Sequence, residues 1–186
     1  MRFRSTLVLG LLALGATAVR ADIIPTLQSS SAVAGGTQFN YTADVTTDQR
    51  VETGDFFTLY DFGPNSNLTA PAGWTAVSQA SGVTPPTIIA GDGPELNLTF
   101  TYTAAPTLTG PQNLGIFSAV SPNPPGGLDF FASHATKAVG GAIGTKVDNV
   151  GFVEAPKLAA IPLPAAAFMF PMGAVAAAYC SRRFRK

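Results

Sequence analysis

Two stretches of this chain alternate apolar and polar residues with almost no interruption. Over residues 37–46, Phe39, Tyr41, Ala43 and Val45 fall on one face, with Gln38, Asn40, Thr42 and Asp44 on the other. Over 95–103, Leu96, Leu98, Phe100 and Tyr102 alternate with Asn97, Thr99 and Thr101. A period of two marks a strand with one buried and one wet face, and aromatic and β-branched residues suit that pleated surface. Shorter apolar runs predict further strands at 56–62, 74–78, 87–90, 114–120, 130–136 and 147–153. Turn-forming clusters punctuate them: Gly35-Gly36, Gly63-Pro64-Asn65, Pro71-Ala72-Gly73, Pro85-Pro86, Gly91-Asp92-Gly93-Pro94, and residues 122–127. Residues 138–144 are too rich in glycine to assign. No long helical period appears between 22 and 154. About seven or eight short strands with this punctuation predict an all-β, antiparallel sandwich, with a small barrel as the second arrangement.

The two ends obey a different rule. Residues 1–21 have the three parts of a secretory signal peptide: Arg2 and Arg4, an apolar run over 7–18, and small residues before a cut between Ala21 and Asp22. A cut after Ala18 is the alternative. The apolar run is too short to cross a bilayer, which takes about 20 residues, and no cysteine follows it to make a lipoprotein. At the other end, residues 161–180 carry no charge and would make about 30 Å of helix, close to the hydrocarbon thickness. Pro162 and Pro164 stand where a helix would begin, and Pro171 is an internal kink of the kind membrane helices tolerate. Residues 181–186 follow as Ser-Arg-Arg-Phe-Arg-Lys. A basic cluster behind an apolar span stays in the cytoplasm, so the reading is a single transmembrane helix with the middle of the chain outside. Three segments result: 1–21, a secreted domain over 22–157, and a C-terminal segment over 158–186.

The ends also explain a false neutrality. The chain has eleven basic and eleven acidic residues, but seven of the basic ones lie in the terminal segments, so 22–157 carries a net charge of −7. Such a domain repels phosphate backbones, which excludes nucleic acid as a natural partner. The domain has no cysteine, and the single one in the chain, Cys180, lies in the apolar span, so no intrachain disulfide can form. The domain must hold by core burial.

The order of a Pro-containing pentapeptide, an apolar span and a terminal Arg cluster resembles the PEP-CTERM class of bacterial sorting signals. Ile161-Pro162-Leu163-Pro164-Ala165 is similar to the VPLPA-CTERM variant, with Ile in place of the opening Val. The resemblance implies recognition by a membrane-embedded exosortase, a cysteine transpeptidase-like enzyme that cuts near the motif. It further implies delivery to the outer surface or to an extracellular polysaccharide matrix. It covers 161–186 alone and implies nothing about the fold of the rest. The chain departs from the class in lacking the Glu of the Pro-Glu-Pro form, in Phe184 interrupting Arg182, Arg183, Arg185 and Lys186, and in Cys180 near the end of the span. An uncut C-terminal membrane anchor is the alternative. A GPI signal would not end on basic residues.

Candidate chemistry in the middle is sparse. His134 is the single histidine, so Ser–His or Cys–His catalysis would have to centre on it, and no conventional zinc site can be built. It reads as a surface or strand histidine. Asp44, Asp48, Glu52, Asp55 and Asp61 crowd into eighteen residues, with Asp92 and Glu95 as a second group. Both could offer oxygens to Ca²⁺, but neither has EF-hand spacing, and they read as solvated turns and strand faces. Gly91-Asp92-Gly93 and residues 140–144 lack the Lys-Ser/Thr ending of a phosphate loop. Trp74, Tyr60, Phe130 and Phe131 are the candidates for an aromatic carbohydrate platform. The expectation is therefore an exported surface or matrix protein of structural or interaction type, without catalytic residues, metal or cofactor. A carbohydrate-binding module is the alternative, and a small hydrolase resting on His134 is a distant third. The partners expected are the secretion translocon, signal peptidase, an exosortase-type transpeptidase, the membrane through the C-terminal helix, and matrix polysaccharide.

Overall fold

The computed structural model describes residues 23–88 and 92–157. The signal with its cut at Ala21–Asp22, the pentapeptide from Ile161 to Ala165, the span over 161–180 and the basic tail lie outside the described residues. Within them all regular structure is β, and no helix is long and apolar enough to cross a membrane. Eleven strands form two antiparallel sheets. The four-stranded sheet has the order β1 (Ile23–Val33), β2 (Gly36–Val45), β9 (Gln112–Ser121), β5 (Ser66–Thr69). The seven-stranded sheet runs β6 (Trp74–Gln79), β7 (Asn97–Tyr102), β4 (Phe56–Leu59), β10 (Pro125–Lys137), β3 (Gln49–Val51), β8 (Leu108–Thr109), with β11 (Lys146–Pro156) also paired to β10.

The count exceeds the seven or eight strands expected from the sequence, for a geometric reason. β3 and β4 follow one another along the same β10 edge, pairing at Thr136–Lys137 and at Phe131–His134, with a turn over Glu52–Asp55 between them. β8 and β7 line the far side of β3 and β4 in the same broken way. One long ladder position is thus filled twice by short pieces. The strand expected at 87–90 is also corrected: Thr87 and Ile88 carry no ladder and belong to a connection that crosses the sheet.

One core lies between the sheets. The inward positions of β2 are Phe39, Tyr41, Ala43 and Val45, the apolar set picked out by the alternation, and all are fully buried. Facing them are Phe57 and Leu59 of β4, Leu98, Phe100 and Tyr102 of β7, Trp74 of β6, and Phe131 and Ala135 of β10. Rings dominate the contact: Phe57 stacks on Phe100 with centroids 4.9 Å apart, and Phe117 meets Phe57 and Trp74 edge-on at 4.9 and 5.2 Å. Offset and edge-to-face pairs of this kind add to area burial, which is how the domain coheres without a cross-link. Tyr41 also reaches across the gap, its hydroxyl donating to the Glu154 carbonyl on β11 at 3.0 Å. Burial first, and the Glu154 charge second, push that hydroxyl's pKa up. The β1–β2 hairpin turns through Gly35 and Gly36. Gly36 adopts φ +145° with Ser121 backbone oxygen 2.0 Å from where a Cβ would stand, so no side chain fits there.

Candidate functional site

The outward face of the large sheet collects the polar and exposed groups of interest, along one line of β10: Leu128, Phe130, Ala132, His134 and Thr136. Successive residues of a strand point to opposite faces, so these five face away from the core while Phe131 and Ala135 enter it. Their partners on β11 are Glu154, Phe152, Val150, Asp148 and Lys146.

At the Thr136 end sits an ionic cluster. Asp55 is fully buried. Its carboxylate accepts from Lys146 Nζ at 2.5 Å, from Glu52 N–H at 2.8 Å and from the Thr136 hydroxyl at 2.9 Å. Arg50 pairs with Glu52 at 2.6 Å. A buried carboxylate needs this many donors to offset its lost hydration, and the cluster fixes the turn that separates β3 from β4.

In the middle, the β6–β7 connection crosses the sheet as a strap. The Thr58 hydroxyl donates to the Val83 carbonyl at 2.7 Å, and the Tyr60 hydroxyl bonds Val83 O and Thr84 Oγ1. Gly82 passes so close that a Cβ would lie 2.6 Å from the Tyr60 ring. Three residues beyond Thr84, Thr87 donates through its hydroxyl to Asp148 on β11, with a longer bond from its N–H. β10 lies between β4 and β11, so the strap passes over it, and Ala132 beneath is fully buried although it faces outward. The returning limb is pinned by Gly93 N–H to Asp61 at 2.9 Å and by Asn97 Nδ2 to Asp92 at 2.8 Å.

His134 belongs to this strap rather than to a cleft. Its Nδ1 pairs with Asp148 Oδ1 while its ring stacks on Phe56 at 5.5 Å. An ionised carboxylate only accepts, so Nδ1 carries the proton. Burial alone would raise the Asp148 pKa. The bonds from Thr87 and His134 and the His134 charge outweigh it and hold the carboxyl below its usual range. Asp148 Oδ2 thus fastens the strap to β11, while Oδ1 is held by His134 of β10.

The Leu128 end is open. Leu128 is 74% exposed, Phe152 is 64% exposed, and Phe130 is half-buried. The Phe130 and Phe152 rings lie across the strand pair with centroids 4.4 Å apart. Asp129 borders them, its pKa raised by burial and by the Asp61 charge against a bond from Phe130 N–H.

No known protein family is matched by this chain, and no curated protein aligns with it significantly.

The carboxylates that crowd together in sequence are spread apart by the fold. Asp44 bonds Asn113 on the small sheet, Asp48 lies in the β2–β3 turn, Glu52 and Asp55 belong to the ionic cluster, and Asp61 holds the returning strap. Among the described residues no three His, Cys, Asp or Glu side chains are grouped to hold a metal ion. Of the four aromatic candidates, Trp74, Tyr60 and Phe131 are buried and only Phe130 reaches the surface. The exposed pair Leu128 and Phe152 escaped the sequence reading. The available signal was in 147–153, where both parities carry apolar residues: Val147 and Val153 on one, Val150 and Phe152 on the other.

Proposed function

We propose that this chain is an exported surface or matrix protein of structural or interaction type. Its all-β domain is delivered outside the cytoplasmic membrane, and its C-terminal segment serves as a sorting signal of exosortase type. The observation that carries the reading is the tail: Ile161-Pro162-Leu163-Pro164-Ala165, then an uncharged stretch to Cys180, then Arg182, Arg183, Arg185 and Lys186. The last strand ends at Pro156, so the pentapeptide begins only five residues past the folded sheets. An enzyme cutting there needs such a spacer and would release the domain without touching a strand. The acidic character of 22–157 suits export and leaves the positive charges at the ends that set topology.

In the domain itself, His134 and the scattered carboxylates serve the strap and the turns, which favours a binding or structural role over hydrolysis. The matrix-polysaccharide reading loses most of its platform, because three of its four rings lie in the interior. Intact-mass measurement on protein from its native host tests the sorting claim. Loss of the tail together with 1–21 is the expected result. A dominant mass retaining Arg182 to Lys186 would sink exosortase processing and leave a plain membrane anchor.

A further inference from the structure

We infer that the Leu128–Phe130–Phe152 patch is a membrane-docking surface, which seats the domain on the bilayer interface from which its own C-terminal span emerges. The inference rests on the C-terminal membrane span read above and applies to the chain while that span is still attached, and three observations lead to it.

The first is where the chain leaves the fold. β11 ends at Pro156, and Lys157 N–H donates to the Pro124 carbonyl at 2.7 Å, so the exit is fastened beside the first residue of β10. Leu128 pairs with Glu154 and Phe130 with Phe152. At about 3.3 Å per residue, Phe152 is roughly 17 Å from Lys157 along the strand and Leu128 nearer still. The second is the length of chain that follows. Only Leu158, Ala159 and Ala160, themselves uncharged, separate Lys157 from Ile161, the first residue of the span as read above. Fully extended, that connection reaches at most about 14 Å, so the Lys157 end of the domain cannot stand clear of the interface.

The third is the chemistry of the surface brought there. Exposed large apolar side chains are grouped at this end, with the two phenylalanines in contact. Apolar and aromatic groups of this kind settle about 5–10 Å into the boundary between headgroups and acyl chains. Lys157, where the chain leaves this end of the hairpin, supplies a cation for lipid phosphate, whereas Glu154 and Asp129 discourage anionic lipid. The patch is small, and the domain's charge is unfavourable for an anionic surface. It therefore binds through the high effective concentration that the short tether creates, and zwitterionic lipid is the surface it fits.

The hairpin supplies its own control. Ile143, at the turn joining β10 to β11, is 59% exposed but lies at the opposite end of both strands. The test places a single tryptophan at Phe152, at Ile143 or at Phe170 of the span, each in a Trp74→Phe background of the full chain. The proteins are reconstituted in phosphatidylcholine vesicles with and without brominated acyl chains. Docking predicts that bromine quenches most of the emission at Phe152→Trp and Phe170→Trp and leaves Ile143→Trp unchanged. Quenching at Phe170→Trp alone would overturn the docking and leave the anchor intact. No quenching at any position would overturn the anchor reading as well. A Phe152→Trp emission that shifts with protein concentration but ignores bromine would assign the patch to a second copy and overturn the proposal. If the Trp74→Phe background does not fold, amide exchange on the unaltered chain in phosphatidylcholine nanodiscs decides the matter. Protection over 127–131 and 150–156 that is lost in Phe152→Ser supports docking, and exchange unchanged between detergent and bilayer refutes it.

Discussion

Trp74 distinguishes a core role from a ligand role sharply enough to measure. It is 8% exposed, and its ring meets Tyr102 and Phe117 at 5.2 Å each and Phe57 at 6.1 Å. Truncation to alanine removes these contacts and leaves a cavity between two sheets that cannot close freely. Large aromatic-to-alanine changes in a core cost about 3–5 kcal/mol, and three ring contacts place this site toward the upper part of that range. Against a total stability of about 5–15 kcal/mol, the variant should retain its fold with a much lower urea midpoint. The corresponding fall in Tm is roughly 10–20 °C for a domain of this size. Trp74 is the only tryptophan in the chain, so its fluorescence follows unfolding of the parent, while circular dichroism must follow the variant. Folded parent protein should emit to the blue of its urea-unfolded form, as a buried indole does. A Trp74→Ala protein with an unchanged urea midpoint would refute the packing argument. If that same protein lost polysaccharide binding, the ring would have to be returned to the surface.

Two further predictions concern the outward face of the large sheet. The Asp148 pKa is depressed in the folded state, so its contribution to stability is present above the unfolded carboxylate value of about 3.9 and is lost as pH falls through the lower folded value. The strap over 82–88 should therefore exchange its amides faster in strong acid, and Asp148→Asn should loosen it at neutral pH; equal exchange in parent and variant would refute the latch. At the other cluster, Lys146→Met leaves the buried Asp55 carboxylate with only Glu52 N–H and Thr136 as donors. Because the Lys146 side chain is 40% exposed, the cost should lie near the low end of the range for a broken buried pair, about 3 kcal/mol. Combining it with Asp55→Asn should recover much of that loss in a four-protein urea series, and strictly additive losses would show that the two side chains do not act as a pair.

How much of this was legible in the sequence depended on where each strand gets its stability. β2 and β7 lie inside their sheets with an apolar face on the core and a polar face turned away from it, and such strands alternate in sequence. β1 was hidden because only its first residues are buried, while Ser29, Ser30 and Ser31 face solvent on a sheet edge. β3, β5 and β8 span two to four residues; the ladders of β10, β9 and β3 respectively create them, and no local pattern of that length can announce a strand. Pro125, Gly126 and Gly127 read as loop but open β10, with a bulge between Pro125 and Gly127 absorbing the irregularity. Proline is tolerated there as the first residue of a strand. The aromatic platform failed for a related reason. Period two says which residues share a face, and only the other sheet says which face is covered. The strap adds a second cover, which is why Tyr60 and Ala132 are buried on the face that alternation assigns to solvent.

The edges of the sheets bear on what the domain can bind. A long bare edge invites another chain to add a strand, and natural sheets blunt their edges with proline, bulges and ties to neighbouring structure. β1 carries Pro25 and a register shift between Leu27 and Ser29. β11 has its Glu154 carbonyl taken by the Tyr41 hydroxyl from the opposite sheet, and its Asp148 side chain anchors the strap. Strand addition is therefore discouraged at both of the eleven-residue edges. The Leu128–Phe130–Phe152 corner has no comparable protection, since its side chains rather than its backbone are the sticky element. On the proposed reading of an exported protein with a C-terminal span, an apolar corner is tolerable because it sits beside the point where the chain leaves the fold. Moved to the Ile143 end of the same hairpin, it would face other molecules.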